Sequence, residues 1–229
     1  MRFSPGLLGW VVLFMLVALA GCRGAPSAAV GPEPAPAKSA GAQNAARKVG
    51  ADPGHAGRGT ILSPRPGNAL AAFAAGCFWG VEDTFRQVPG VVATAVGYSG
   101  GGTEDPTYES VCSHTTGHAE TVLVEFDPKV VSYETLLNVF FKNHDPTTKN
   151  RQGPDVGDQY RSAVFAFSAE QEALARSAKE MEEKERKRPV VTEIGRIGRF
   201  WKAEEYHQQY DEKTGTHSCP LPLGLPPKH

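Results

Sequence analysis

The chain has 229 residues, of which 40% are hydrophobic and 21% charged, a composition typical of a globular protein rather than a disordered or multi-span membrane protein. It carries 24 Lys and Arg against 25 Asp and Glu, so no excess of positive charge indicates nucleic acid binding. The 25 Gly and 18 Pro are concentrated in certain segments, which indicates that the chain has parts of different character.

The N-terminus has the pattern of a secretory signal. Arg2 precedes an apolar run over 7–20, which is shorter than the roughly 20 residues of a transmembrane helix. The small residues before Cys22 resemble a bacterial lipoprotein processing site, with 1–21 as the signal peptide and Cys22 as the lipidated residue; an ordinary cleaved signal is the alternative. We therefore expect an exported protein that is lipid-anchored to a bacterial membrane and faces the periplasm or cell exterior. Because Arg23 follows Cys22, the outer membrane is favoured.

Residues 22–68 have the composition of a flexible linker. The 46 residues after Cys22 include 11 Ala, 8 Gly and 7 Pro, and they show no apolar periodicity. Such a segment is expected to behave as an extended tether rather than as a folded unit. Residues 69–229, with 17 basic and 23 acidic residues, are predicted to form the catalytic domain with its tail.

The hydrophobic pattern after residue 69 alternates between strands and helices. Strands are predicted over 69–75, 91–98, 120–126, 162–167 and 190–194, and helices from about residue 80, over 132–144 and over 169–187. The order β-α-β-β-α-β is that of the split β-α-β arrangement. The sequence therefore predicts an α/β (α+β) fold, a two-layer ferredoxin-like sandwich with an added helix and an irregular C-terminal tail.

The four cysteines carry the chemical signal. They are Cys22, Cys77, Cys112 and Cys219. Structural disulfides are the default in an exported protein, but lipidation of Cys22 would leave an odd number of thiols. Cys77 lies between a predicted strand and a predicted helix, so its sulfur is expected at a helix N-terminus, where a thiolate is favoured. With Phe78 and Trp79 next to it, the pattern indicates a reactive thiol beside an apolar cage, or else a plain buried cysteine.

Glu120 is the second candidate for a reactive group, after Cys77. The alternation of its strand places Glu120 on the same face as Val122, Val124 and Phe126, so its carboxyl is expected to point inward. Burial would raise its pKa and keep it protonated as a potential acid. A core ion pair with Lys or Arg is the alternative.

Two loops complete the candidate features. The polar, Gly-containing segment 150–162 precedes a predicted strand and indicates a site-forming loop, with a solvated connection as the alternative. Cys219 lies in a Gly/Pro-rich tail that could bring it to Cys77, or that could be held by a structural disulfide.

These motifs together resemble the peptide methionine sulfoxide reductase A family, which acts on the S epimer of methionine sulfoxide. The segment Gly76-Cys77-Phe78-Trp79-Gly80 is similar to the family signature. The other similar segments, in the family's order, are 97–101, 106–112, 117–120, 145–147, 150–162 and 203–210. The resemblance covers about 69–210.

The resemblance implies a role for each matching residue. Cys77 would be the nucleophile and Glu120 the acid that protonates the sulfoxide oxygen. The implied substrate-binding residues are Phe78 and Trp79 for the methyl group, Tyr108 and Tyr160 for the oxygen, and Asp155 as a support acting through a water. Cys219 is the candidate second thiol, which would condense with a sulfenic acid on Cys77 to form a disulfide.

The resemblance also implies the partners. Oxidised proteins and methionine sulfoxide are the expected substrates, and a thioredoxin-like protein or a dithiol is the expected external reductant. No metal or organic cofactor, no nucleic acid partner and a monomeric state are expected, with the membrane contacted only through the lipid anchor.

The sequence departs from the family at two places, and other functions stay open. His114 stands where the family usually has Gly, and the tail after Tyr210 has one cysteine where some members have two. Cys112 is expected to be a half-buried structural thiol. The alternatives are a thiol peroxidase, a Cys–His hydrolase with His118 or His144 as the base, and a binding domain that uses the aromatic cage without catalysis.

Overall fold

A six-stranded sheet forms the centre of this computed structural model, which describes residues 48–216. Its strands are β1 (Ala69–Ala75), β2 (Val91–Ser99), β3 (Ala119–Phe126), β6 (Ser162–Ala166), β7 (Glu193–Arg196) and β8 (Trp201–Lys202), and β4 (Arg151–Gln152) and β5 (Asp155–Val156) form a separate hairpin. The helices are α1 (Phe78–Arg86), α2 (Tyr108–Cys112), α3 (Tyr133–Lys142), α4 (Ala169–Arg186) and α5 (Tyr210–Thr214). The strand order is β7-β6-β1-β3-β2-β8.

The four central strands have the predicted connectivity. β1 is antiparallel to both β3 and β6, and β2 is antiparallel to β3. Helix α1 connects β1 to β2, and α3 connects β3 to the strand beyond it, so the split β-α-β prediction is confirmed. Helix α4 then leads to β7, which pairs with β6 in parallel and supplies the added unit.

The main hydrophobic core lies between the sheet and its helices. Phe73 of β1 is fully buried and stacks on Phe85 of α1 at a centroid distance of 4.8 Å and on Phe140 of α3 at 5.4 Å. A smaller cluster that includes Leu123 and Phe200 covers the opposite face of the sheet. Burial of large aromatic side chains on this scale stabilises the domain by about 2 kcal/mol for each side chain.

Several boundaries differ from the sequence prediction. Helix α1 begins at Phe78 rather than near residue 80, and the short α2 and β8 lie in stretches without a periodic signal. The last predicted strand starts later, because the Val191 amide donates to the Pro146 carbonyl oxygen at 2.8 Å and ladder pairing with β6 begins only at Glu193.

The predicted flexible linker does not extend to residue 68. Gly50 forms a β-bridge with Ala93, and Arg58 forms one with Trp201. The side chain of Glu125 on β3, which is fully buried, accepts hydrogen bonds from this segment, including one from Arg65 Nη1 at 2.6 Å. These contacts depend on residues far away in the chain, so the composition of the segment alone does not reveal them.

Candidate functional site

The turn from β1 into α1 places Cys77 at a helix N-terminus, as the sequence predicts. Gly76 has a φ of +99°, and a Cβ there would come within 2.6 Å of the Gln152 side chain, so glycine is required on both counts. Cys77 is the N-cap of α1 and is partly exposed. The partial positive charge of the helix N-terminus therefore lies next to its sulfur.

A cavity of about 270 Å³ opens beside this turn. It is lined by Cys77, Phe78, Trp79, Tyr108, Glu120, Asp155 and Tyr160. These are all the predicted site residues within 48–216. The structure therefore brings them together, whereas Cys22 and Cys219 lie outside the described residues.

The topology explains why residues so distant in sequence meet. Ala75 at the end of β1 pairs with Ser162 at the start of β6, and Tyr98 near the end of β2 pairs with Glu120 near the start of β3. Because β1 also pairs antiparallel with β3, with Phe73 opposite Val122, the end of β1 and the beginnings of β3 and β6 lie at one end of the sheet. The cavity is built at that end.

Glu120 is fixed against the start of α1. Its side chain is 2% exposed, and its Oε2 accepts a hydrogen bond from the Phe78 amide at 3.0 Å. The carboxyl therefore lies at the same helix N-terminus as Cys77. The inward orientation predicted from strand alternation is the one observed.

The two tyrosines of the cavity are held as hydrogen-bond donors. Burial, with smaller contributions from the Cys112 thiol and Glu120, raises the pKa of Tyr108. Burial followed by the charge of Glu120 raises the pKa of Tyr160. Both phenols are therefore protonated at neutral pH and can donate to an oxygen atom in the cavity.

Tyr108 is positioned by a capped helix and by a carboxylate. Thr107 and Ser110 form a reciprocal capping box at the start of α2. Glu204 Oε1 accepts from the Tyr108 amide at 3.0 Å, and its Oε2 accepts from the Tyr98 hydroxyl at 3.0 Å. Glu204 lies in the family-like segment 203–210, but no sequence pattern predicts a function for this residue.

The loop that carries Asp155 and Tyr160 is held by Arg161. This side chain is 8% exposed, donates to the carbonyl oxygens of Asp158 and Gly117, and pairs with Glu193 at 3.0 Å. Its hydrogen bonds connect the segment before β6 to the segment before β3. The dense polar content of 150–162 thus builds one wall of the cavity.

His114 keeps the conformation that a glycine would favour. Its φ is +60°, in the left-handed region that glycine adopts most readily. The imidazole Nδ1 lies 2.8 Å from Gln159 Oε1 and so connects this loop to the one before Tyr160.

Trp79 is supported from behind by the segment after β8. Its Nε1 donates to His207 Nδ1 at 3.0 Å, and its ring stacks on Tyr210 at 3.9 Å with an interplanar angle of 12°. From the sequence, His207 is expected only to form structural hydrogen bonds, as it does here, and Tyr210 has no assigned role. The motif over 203–210 was the available signal, but the contact joins residues that are 128 positions apart.

The two histidines considered as hydrolase bases are both engaged elsewhere. His118 Nδ1 accepts from the Gly101 amide at 3.2 Å, and its Nε2 donates to the Thr103 carbonyl at 2.7 Å. His144 Nδ1 donates to the Phe140 carbonyl at 2.7 Å, and its Nε2 accepts from Ser162 at 2.7 Å. Neither therefore has a nitrogen available as a base for Cys77, which disfavours the Cys–His hydrolase.

Cys112 lies at the end of α2 and is partly exposed. Burial is the main factor that raises the pKa of its thiol. A hydrogen bond with Tyr108 opposes this effect. This thiol is therefore less readily ionised than an ordinary cysteine, in agreement with the expectation of a half-buried thiol.

A partly exposed cysteine at a helix N-terminus, next to a buried carboxyl and aromatic walls, is typical of an oxidoreductase that works through a thiol. Comparison with known proteins makes this class specific. The family model described as peptide methionine sulfoxide reductase matches residues 69–225. A curated relative from Methanosarcina acetivorans, named peptide methionine sulfoxide reductase MsrA, is 63% identical over 160 residues, which are 68% of this chain and 85% of that protein.

Solved structures agree with this assignment. The reduced form of Mxr1 from Saccharomyces cerevisiae is 37% identical with a TM-score of 0.66, over 70% of this chain and 94% of that one. Methionine sulfoxide reductase A of Corynebacterium diphtheriae is 33% identical with a TM-score of 0.66, over 79% of this chain and 95% of that one. The chain belongs to the peptide methionine sulfoxide reductase family and is an enzyme of that class.

The comparisons contradict the predicted location. The curated archaeal relatives are described only as peptide methionine sulfoxide reductases, and their similarity brings no export signal or lipid anchor with it. The prediction depended on the first 22 residues, which precede the family match at 69–225 and lie outside the described residues. Within 48–216, no helix is both long and apolar enough to cross a membrane.

Proposed function

We propose that this enzyme reduces the S epimer of methionine sulfoxide, in proteins and as the free amino acid, with Cys77 as the nucleophile and Glu120 as the acid. The observation that carries the proposal is the shared cavity. Cys77 and Glu120 flank the start of α1 there, together with two aromatic side chains and two protonated phenols. This set supplies the groups that sulfoxide reduction by a thiol requires.

The reaction begins with the sulfoxide oxygen facing Glu120. The carboxyl donates a proton toward the oxygen, which makes the substrate sulfur electrophilic, and the Cys77 thiolate attacks that sulfur. With a second proton taken up from solvent, the sulfur–oxygen bond breaks and the oxygen leaves as water. A water molecule then attacks the Cys77 sulfur and breaks the new sulfur–sulfur bond, which releases methionine and one proton. In the net step, the sulfoxide loses its oxygen and is reduced by two electrons to methionine, while the Cys77 thiol is oxidised by two electrons to a sulfenic acid.

The walls of the cavity select the substrate. Phe78 and Trp79 form an apolar surface for the methyl group, while the hydroxyls of Tyr108 and Tyr160 donate to the oxygen. Asp155 supports the same wall through a bound water. Because methyl, oxygen and the remaining side chain each have a defined place around the sulfur, only one sulfoxide epimer presents its sulfur to Cys77.

Cys219 is the second thiol in our proposal. Condensation of its thiol with the Cys77 sulfenic acid forms a disulfide and releases water, and a thioredoxin-like dithiol then reduces that disulfide by exchange. This cycle needs no metal or organic cofactor. Peptide mapping of the oxidised full chain is expected to find a Cys77–Cys219 bond, whereas a Cys77–Cys112 bond would contradict the role of Cys219.

The proposed activity is tested with both epimers of a blocked methionine sulfoxide and excess dithiothreitol. The full chain is expected to consume the S epimer only, and Cys77→Ser is expected to abolish this activity. Cys112→Ser is the matched control and is expected to retain it. Consumption of neither epimer by the wild-type chain would contradict the proposal, and rapid peroxide reduction by the same chain would favour a thiol peroxidase.

A further inference from the structure

The indole of Trp79 is held by one hydrogen bond whose direction is unambiguous. An indole N–H only donates, so His207 Nδ1, which lies 3.0 Å away, must accept. The imidazole is therefore neutral and carries its proton on Nε2. Burial lowers the pKa of His207, although the charge of Glu204 opposes this effect, and the neutral form is thus the stable one.

The environment of His207 shows that the ring is fixed by its contact with Trp79 and by packing. The side chain is 1% exposed, and its Nε2 has no hydrogen-bond partner within the described part of the chain. The Glu204 carboxylate lies 3.9 Å from that nitrogen, beyond hydrogen-bond distance. A buried N–H without a partner costs free energy, so the ring stays in place because of its other contacts.

Those contacts are with the walls of the cavity. The imidazole centroid lies 5.1 Å from the ring of Phe78 and 4.6 Å from that of Tyr108, in addition to its hydrogen bond to Trp79. His207 does not itself line the cavity. It therefore lies behind three of the side chains that do.

The backbone that carries His207 is attached to the sheet and to α1. The Gln208 side chain is fully buried and pairs with both backbone groups of Val96, at 2.9 Å each. The Gln209 amide donates to Glu82 Oε2 at 2.7 Å. The position of the imidazole relative to α1 is thus set by hydrogen bonds directly after it in the chain.

We propose that His207 is a positioning residue that fixes the indole of Trp79 and thereby restricts the cavity to substrates with a methyl group on the sulfoxide sulfur. This inference rests on the proposed function, in which Trp79 forms part of the methyl-binding surface. Loss of the acceptor removes the hydrogen bond that the indole N–H makes within residues 48–216. The ring can then shift within its stack on Tyr210, and a larger alkyl group can be accommodated.

The test compares two substitutions in the full chain. His207→Leu removes the acceptor, whereas His207→Asn keeps an oxygen on Cγ where the imidazole has Nδ1. Blocked methionine S-sulfoxide and its S-ethyl analogue are the substrates. For the Leu variant we expect KM for the methyl substrate to rise on the order of 5-fold with little change in kcat, as expected for one lost hydrogen bond. The preference for methyl over ethyl, expected to be at least about 10-fold in the wild type, should fall by a similar factor.

A spectroscopic measurement detects the hydrogen bond itself. The indole N–H resonance of Trp79, assigned by its loss in Trp79→Phe, is expected to shift in the Leu variant and to stay near its wild-type position in the Asn variant. His144→Leu is the matched control, since it removes another buried imidazole that contacts Phe140 and Ser162 rather than Trp79. It is expected to leave KM, the alkyl preference and the resonance unchanged.

The outcomes separate the two proposals. A wild-type chain that reduces neither substrate contradicts the proposed function. Normal wild-type reduction, combined with an unchanged resonance and unchanged alkyl preference in His207→Leu, contradicts only the role of His207. An equal rise in KM and an equal fall in the methyl preference in the Leu and Asn variants would also contradict the role of His207. The hydrogen-bond acceptor would then not be the property that fixes Trp79.

Discussion

Glu120 shows how one buried carboxyl can serve a thiol enzyme. It accepts from the Phe78 amide and lines the same cavity as Cys77, which is the placement that the proposed acid role requires. The Cys77 sulfur lies at the same helix N-terminus, which stabilises negative charge there. In the proposed mechanism, Glu120 protonates the oxygen and Cys77 attacks the sulfur of the same sulfur–oxygen bond.

Substitution of Glu120 by Gln is expected to lower kcat/KM for the S epimer by roughly 100-fold to 10,000-fold, because Gln keeps the shape but cannot supply the proton. Steady-state kinetics with dithiothreitol measure this change. Glu109→Gln, an exposed carboxyl on α2, is the matched control and should retain wild-type activity. Near wild-type activity of the Glu120 variant would contradict the role of this residue as the acid.

At the scale of single residues, the sequence predicts the inner surface of the cavity but not its support. Cys77, Phe78 and Trp79 are adjacent in the chain, so their chemistry can be recognised locally. The support by Glu204 and His207 depends on contacts between segments about a hundred residues apart, which no local pattern encodes. Cavity-lining residues are recognisable by their chemical type, whereas buried supporting residues resemble ordinary polar residues.

The elements were predicted where periodicity was strong. The alternation in β3 and the helical spacing of α3 identify these two elements correctly, and with them the β-α-β-β-α-β order of elements along the chain. Residues 22–68 are predicted as a linker from their Ala, Gly and Pro content, yet residues 48–68 pack on the sheet, in part through hydrogen bonds to Glu125. Together with Phe200, this segment covers the second face of β3, and a strand pattern alone does not identify what packs there.

Glu125 is the residue that attaches this segment to the sheet. Its carboxylate accepts from the amides of Gly54 and Arg65, from the Arg65 guanidinium and from the Asn68 side chain. Burial raises the pKa of this group, but the hydrogen bonds from Asn68 and from the Gly54 and Arg65 amides, together with the Arg65 charge, outweigh burial and lower the pKa overall. The ionised form is therefore favoured in the folded state.

Glu125→Gln is expected to lower the free energy of unfolding by about 2 kcal/mol at neutral pH, since it removes a buried charge from a satisfied network. Because the folded-state pKa lies below the unfolded value, this stabilisation is present above the unfolded pKa and is lost as the pH falls through the folded one. Urea unfolding at pH 7 and at pH 3 should show that the variant lacks this part of the acid sensitivity.

The control for this prediction is Glu172→Gln, which breaks a surface pair with Arg176 on α4. Its effect is expected to stay below about 1 kcal/mol. If the two variants lose equal stability, Glu125 does not attach the segment. Faster tryptic cleavage after Arg58 or Arg65 in the Glu125 variant would support the account independently.

At the scale of the whole molecule, the antiparallel order of the sheet determines where the chemistry takes place. The end of β1 and the beginnings of β3 and β6 meet at one end of the sheet, and each contributes or adjoins a cavity residue. The segment after β8 then supports the cavity from behind. The site is therefore formed only when the whole sheet is assembled.

The most direct test of the central claim is a single turnover without reductant. The full chain, fully reduced and freed of dithiol, is mixed with excess S epimer of a blocked methionine sulfoxide. We predict about one equivalent of the methionine product per chain, with loss of the Cys77 thiol in the same molecules and its recovery on addition of a dithiol. Formation of product while the Cys77 thiol stays intact, or the absence of any product, would contradict the account.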